Sequence, residues 1–199
     1  MKKFLSIVCA GVLMLSLAGC GQKAPVETQA PYEAQTEGNT AVITVKDYGT
    51  IRVALDRQAA PMTVDNFVKL AKDGFYDGLT FHRIITGFMI QGGDPLGNGM
   101  GGAEETIVGE FRDNGIENPI SHKRGVISMA RSQDMDSASS QFFIVHEDSP
   151  HLDGAYAGFG QVTEGMEVVD AICKETAVED GNGSVAPENQ PIIESIVIG

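Results

Sequence analysis

The sequence predicts a mainly β fold: a closed barrel of about eight strands with two helices over its ends. Three observations carry that prediction. Outside two helix-like stretches, the apolar runs are only strand-length and are separated by Gly, Asp, Asn and Pro. Glycine supplies 24 of the 199 residues, about 12% against a usual value near 7%, and has no fixed period, which marks a turn-rich body and not a collagen-like one. With so many strands and so few helices, a barrel suits the pattern better than a doubly wound sheet, which needs a helix between successive strands.

Residues 1 to 20 are set aside first. They run Met-Lys-Lys, an apolar stretch from Phe4 to Leu17, and then Leu17-Ala18-Gly19-Cys20, the order of an export signal. The apolar stretch is shorter than the ~20 residues that cross a bilayer. The Leu-Ala-Gly-Cys ending resembles the bacterial lipobox, which implies a lipidated Cys20 as the first mature residue and a domain held outside the cytoplasmic membrane. Cys9 leaves with the signal and Cys20 carries lipid, so Cys173 is left alone in the domain and no internal disulfide is expected.

Residues 21 to 40 hold Pro25, Pro31, Glu27, Glu33 and Glu37 with only Val26 and Tyr32 as sizeable apolar groups. Such a stretch cannot bury a core, and as a flexible acidic tether its root-mean-square reach is roughly 25 Å.

The domain occupies residues 41 to 199. AVITV (41–45) and TIRVAL (50–55) flank Asp47-Tyr48-Gly49 and read as an opening hairpin. In PMTVDNFVKLAKDG (61–74), Val64, Phe67, Val68 and Ala71 fall at i, i+3, i+4 and i+7, predicting an amphipathic helix with Thr63 as N-cap and Gly74 as stop. LTFHRII, FMIQGG, GVISMA, QFFIVH, AGFGQV and PIIESIVI are the remaining strands. A second helix covers TEGMEVVDAICKE, with Met166, Val169 and Ile172 or Cys173 on one face.

The formal charge of -13 becomes -15 once the two lysines of the signal are removed, leaving 12 basic against 27 acidic residues. That balance argues against nucleic acid as a partner. QGGDPLGNGMGG (91–102) lacks the Gly-Lys-Ser/Thr ending of a phosphate loop and reads as a structural surface loop. His146 and His151 with Asp148 and Asp153 fit no common zinc spacing, Asp134-Met135-Asp136 lacks the register of a calcium loop, and neither Ser128 nor Ser139 nor Ser140 occupies a nucleophile elbow. The combination that stands out is Arg83 inside an apolar strand, with Phe88, Met89 and Gln91 on the next and Gln141 and Phe143 on one face of a later one. On composition alone this is either a strand-edge arginine with its head in water or a cleft of apolar walls with one guanidinium and two amides aimed into it.

FHRIITGFMIQGGD (81–94), GVISMA (125–130), SQFFIVH (140–146) and LDGAYAGFGQV (152–162) resemble, in order and spacing, the signature blocks of the cyclophilins, which are peptidyl-prolyl cis-trans isomerases. The resemblance covers roughly residues 41 to 199. It implies an eight-stranded antiparallel β-barrel closed by two helices, action on X-Pro bonds of polypeptides, no cofactor and no metal; a monomer is expected. Position by position it implies Arg83 and Gln91 as catalytic residues and Phe88, Met89, Phe143 and Leu152 as the proline pocket. Gln141 falls on the family's second amide position, Gly99 beside the pocket, and Ala130 with the main chain of Arg131 on the segment that receives the substrate carbonyl. Arg131 replaces the usual asparagine, Tyr156 a rim histidine, and His151 the tryptophan of familiar eukaryotic members, in a chain with no tryptophan. Together these features imply an exported, lipid-anchored isomerase assisting the folding of proteins beyond the membrane. The alternative is a non-enzymatic proline-peptide-binding module or holdase chaperone.

Overall fold

Eight short strands pair into one antiparallel sheet in the computed structural model, which describes residues 40–199. The signal segment, Cys20 and the tether as far as residue 39 lie outside the described residues, and Thr40 opens β1. The elements run β1 (Thr40–Val45), β2 (Gly49–Leu55), α1 (Pro61–Lys72), β3 (Thr80–Ile85), β4 (Met89–Asp94), β5 (Val126–Met129), β6 (Phe142–Val145), β7 (Gly158–Glu164), α2 (Met166–Glu175) and β8 (Ile193–Ile198). The spatial order is β3-β4-β6-β5-β7-β2-β1-β8.

The edge strands β3 and β8 do not share a ladder. They meet at one isolated bridge, Thr80 to Ile192, with Phe81 N–H donating to Pro191 O at 2.9 Å and Ile193 N–H to Leu79 O at 2.7 Å. Pro191 has no N–H to give, so regular pairing cannot extend past it. The sheet is therefore a curled half-barrel, where the sequence predicted a closed one.

Strand alternation separates two apolar layers. Across the sheet, Ile84, Ile90, Ile144 and Ile127 stand opposite one another in successive pairs and all belong to the main core. The neighbouring row is Arg83, Gln91, Phe143 and Ser128, and it turns to the other face. There Phe143 joins Met89, Val126, Val145 and Leu152 in a second, smaller cluster. All four residues of β6 are buried, which is why its sequence is a continuous apolar run with no polar alternation.

Under the main core, the Phe67 ring of α1 lies 5.2 to 5.5 Å from those of Tyr76, Phe142 and Phe159. Helix α2 buries Val168, Val169, Ile172 and Cys173. Burial pushes the Cys173 thiol up to about 12, so it stays neutral and serves as core.

Helix α1 starts before the expected cap. Ala60 is its N-cap and Pro61 its first residue, where a preset φ and a missing N–H carry no penalty. Thr63 is thus inside the first turn, and the capping is done from far away in sequence. The buried Glu110 carboxylate accepts from Met62 N–H (3.1 Å), Thr63 N–H (2.7 Å) and Thr63 Oγ1 (2.7 Å). A negative group there also complements the positive end of the helix. Glu110→Ala is expected to lower the unfolding free energy by about 2–3 kcal/mol, because two buried donors and one half-buried donor lose their acceptor. Urea unfolding checks it, and an unchanged midpoint would contradict this role.

Candidate active site

A local irregularity in the β3–β4 pair aims the central arginine. Thr80 faces Asp94 and Arg83 faces Gln91, but between them Phe81 faces Gly92, so His82 is an extra residue on β3 and Gly93 an extra residue on β4. Gly93 has φ +80, and a Cβ there would fall 2.6 Å from Ser140 O, so only glycine fits. Phe81 and Ile84 both enter the main core although they are an odd number of residues apart. The doubled bulge absorbs that mismatch and leaves Arg83 on the opposite face, level with Gln91.

A cavity of about 500 Å³ opens on that face. Its apolar walls are Phe88, Met89, Phe143 and Leu152, with Ala130, Arg131, Tyr156 and Gly99 around them. Two of the expected residues are not on its wall. Gln141, immediately before β6, lines an adjoining cavity. His151 is exposed on a short 3-10 turn and packs its ring 5.3 Å from that of Phe88, so it supports the rim from outside.

The polar groups form one chain. Arg83 Nε donates to Asn182 O at 2.9 Å and Arg83 Nη1 to Gln91 Oε1 at 3.2 Å. Gln91 Nε2 donates to Gln141 Oε1 at 2.9 Å, and Gln141 Nε2 to the carbonyls of Gly99 (3.1 Å) and Gly101 (2.7 Å). The guanidinium is thereby fixed at the pocket edge while keeping donors for a ligand. The segment between β5 and β6 is tied just as firmly, since Ala130 N–H donates to Gln141 O and Met129 N–H to Ala157 O. Arg131 extends between two rings, with its guanidinium carbon 5.0 Å from the Phe111 centroid and 4.9 Å from that of Tyr156.

The glycine-dense stretch after β4 is organised by Asp94. This carboxylate, almost wholly buried, accepts from the N–H groups of Leu96 (2.8 Å), Asn98 (3.0 Å) and Gly99 (2.6 Å). Gly99 itself sits at φ +85. Burial opposes the charge on Asp94, yet its backbone donors, Gly101 among them, outweigh burial and hold the carboxyl below the usual range.

Three features escaped the sequence reading. The far wall of the cavity comes from the stretch between α2 and β8: Glu179, Ser184, Val185, Pro187 and Gln190 line it, Val185 N–H donates to His82 O, and Ile84 N–H to Gly183 O. That stretch carries no periodicity, and only its density of Gly, Asn and Pro marked it as structured turn. His82 also faces the cavity, with neither ring nitrogen hydrogen-bonded; burial holds its pKa below the ordinary value, against the pull of Asp94. Beneath Phe143, His122 Nδ1 meets Asp153 Oδ1 at 2.9 Å and His122 Nε2 meets Ser128 Oγ at 3.0 Å. This has the connectivity of a hydrolase triad, but Ser128 is fully buried and no substrate reaches it. The His122 ring stacks on Phe143, 6.1 Å away and 20° from parallel, so the network braces a pocket wall.

The fold and this cleft define a class: the chain belongs to the cyclophilin-type peptidyl-prolyl cis-trans isomerase family. The family model "Cyclophilin type peptidyl-prolyl cis-trans isomerase/CLD" matches residues 40–198. Peptidyl-prolyl cis-trans isomerase B of Bacillus subtilis is 50% identical over 128 residues, covering 64% of this chain and 86% of that protein. Peptidyl-prolyl cis-trans isomerase of Helicobacter pylori is 45% identical over 160 residues, 78% of this chain and 93% of its own length. A Cryptosporidium parvum cyclophilin crystallised in the presence of the dipeptide Ala-Pro superposes with TM-score 0.70 at 31% identity, covering 80% of this chain and 98% of that one.

Asp94 generates a pH prediction. Its carboxyl titrates lower in the folded chain than the roughly 3.9 of an unfolded aspartate. Its stabilisation is therefore complete above the unfolded value and is lost as pH falls through the folded one. Asp94→Asn is expected to lower stability at pH 7 by about 2 kcal/mol and to flatten acid unfolding below about pH 4. Denaturant titrations at pH 7 and pH 3 check this, and an equal deficit at both would contradict it.

Proposed function

We infer that this cleft catalyses cis-trans isomerisation of X-Pro bonds, and that the chain does so as an exported, lipid-anchored monomer assisting the folding of proteins that have crossed the membrane. The observation that carries the catalytic reading is one arginine held by a carbonyl and a glutamine at the edge of an apolar pocket.

Rotation about an X-Pro bond requires loss of amide resonance, a barrier of about 18–20 kcal/mol. No bond between heavy atoms is made or broken, so the site has only to fit the twisted amide better than either planar isomer. As the bond twists, the proline nitrogen regains its lone pair. A guanidinium donor over the ring stabilises that lone pair in the transition state alone, and we assign that role to Arg83, which lines the cavity. Phe88, Met89, Phe143 and Leu152 grip the ring. Gln91 and the main chain at Arg131 hold the carbonyl of the preceding residue, so one half of the amide turns against the other. The Gln91–Gln141 bond fixes the amide that meets Arg83, and the His122 stack keeps Phe143 from yielding.

The monomer reading is supported by a cleft completed within one chain. Export and anchoring are supported by the basic start, the short apolar run and the Leu-Ala-Gly-Cys ending at Cys20.

Two experiments test these readings. In NMR exchange spectroscopy with a short X-Pro peptide, Arg83→Ala in the full chain is expected to slow catalysed exchange by roughly two orders of magnitude or more with the spectrum of the fold retained; resonance shifts without accelerated exchange in the unmodified chain would instead make it a binding module or holdase. For the anchor, Cys20→Ser is expected to move the chain from the membrane fraction to the soluble exported fraction, and continued membrane retention would rule out a lipid on Cys20.

A further inference from the structure

We propose that Arg131 selects for an acidic side chain in the client segment just before the proline. The proposal rests on the isomerase reading and deepens it.

Arginines in this structure divide sharply by partner. Arg52 pairs with Glu164 at 3.3 Å, Arg57 with Asp65 at 2.8 Å, Arg112 with Asp113 at 3.3 Å and Arg124 with Asp170 at 2.8 Å. Among the described residues, only Arg83 and Arg131 have no carboxylate partner, and both line the proline cavity. Acids are not in short supply, since the chain holds 27 against 14 basic residues. The acids nearest Arg131 in sequence are engaged elsewhere: Asp136 Oδ1 accepts from Gly109 N–H and Asn114 Nδ2, and Asp134 Oδ1 from Asp136 N–H.

On the isomerase reading, Arg83 acts over the proline ring from the wall of the first cavity. Arg131 is placed differently, because it also lines the adjoining cavity of about 440 Å³. The two cavities share Gln91, Gly99, Ala130 and Arg131. On the isomerase reading, Ala130 and the main chain at Arg131 receive the carbonyl of the residue before proline, which directs the client chain on that side toward the second cavity. Among the described residues no carboxylate lines that space, and Arg131 is the one cation on its wall. Ser132, Ser137 and Ser139 add hydroxyls, which suit a polar side chain better than an apolar one. The acid on the first cavity's wall, Glu179, is tied by its N–H to Ser184, which bridges to Arg83.

Arg131 is also preordered. Its Nε donates to Ala155 O at 3.0 Å and its Nη1 to Ser132 O at 2.9 Å, while Phe111 and Tyr156 cover its faces. Among the described residues, Nη2 has no hydrogen-bond partner. A cation already held in place loses little side-chain freedom on meeting a carboxylate.

The test uses the full chain in detergent with X-Pro peptides carrying Glu, Gln or Lys at each of the three positions before proline. At one position, kcat/KM for Glu is expected to exceed that for Gln by roughly three- to fivefold, with Lys below both, and the ratio should shrink as salt rises. Arg131→Gln should bring the Glu/Gln ratio to about one, and Arg131→Lys should keep part of it. Comparing peptides within each variant cancels any loss of folded enzyme. Equal rates for Glu and Gln at all positions, or a preference that survives Arg131→Gln, would overturn the proposal while leaving the isomerase reading intact. Absence of accelerated exchange with every peptide would overturn both.

Discussion

The doubled bulge in the β3–β4 pair is the constraint on which the site depends. A strand of strict alternation that puts Phe81 into the core also puts Arg83 there, where a guanidinium would have no acceptor. The extra His82 and the compensating Gly93 turn Arg83 outward and return Ile84 to the core within three residues. The pairing of Thr80 with Asp94 and of Arg83 with Gln91 then belongs to one register, so the rest of the sheet is undisturbed. Gly93 can play this part because the position combines a positive φ with a carbonyl where a side chain would begin.

Once Arg83 faces outward, the second apolar layer has to exist. Phe143 and Met89 would otherwise be exposed on the outer face of the sheet, and the long connections around β5 and before β7 cover them to form the cluster with Val126, Val145 and Leu152. What remains uncovered is the cavity of about 500 Å³. Buried charged or polar groups tie down the loops beside it, Asp94 under the glycine loop and His122 between Asp153 and Ser128, while Glu110 does the same at the start of α1. Each accepts or exchanges several hydrogen bonds, so each is tolerated in the interior and each fixes a loop that has little secondary structure of its own.

Electrostatics follow the same division. In a chain dominated by acids, most arginines are neutralised by a neighbouring carboxylate, and the two that are not stand at the cleft. The acidity that argues against nucleic acid thus surrounds a cleft lined by two guanidinium groups that, among the described residues, have no carboxylate partner.

Much of the local structure was legible in the sequence. The helix of Val64, Phe67, Val68 and Ala71, the opening hairpin and the strand-length runs follow from periodicity and turn residues, because those signals act over a few neighbours. The family blocks likewise carried the identities of Arg83, Gln91, Phe88 and Phe143. What tertiary structure alone decided lies at longer range. Thr63 lies inside the first turn because the helix begins at Pro61, and a carboxylate 47 residues away accepts from its N–H. The sheet stopped short of full closure because Pro191 falls where the last ladder would have formed. The stretch around Ser184, His82 in its bulge and the His122 brace became parts of the site through contacts that no spacing along the chain encodes. A residue's own propensities decide which element it enters, but which face it presents and what covers it depend on the register and packing of strands distant in sequence.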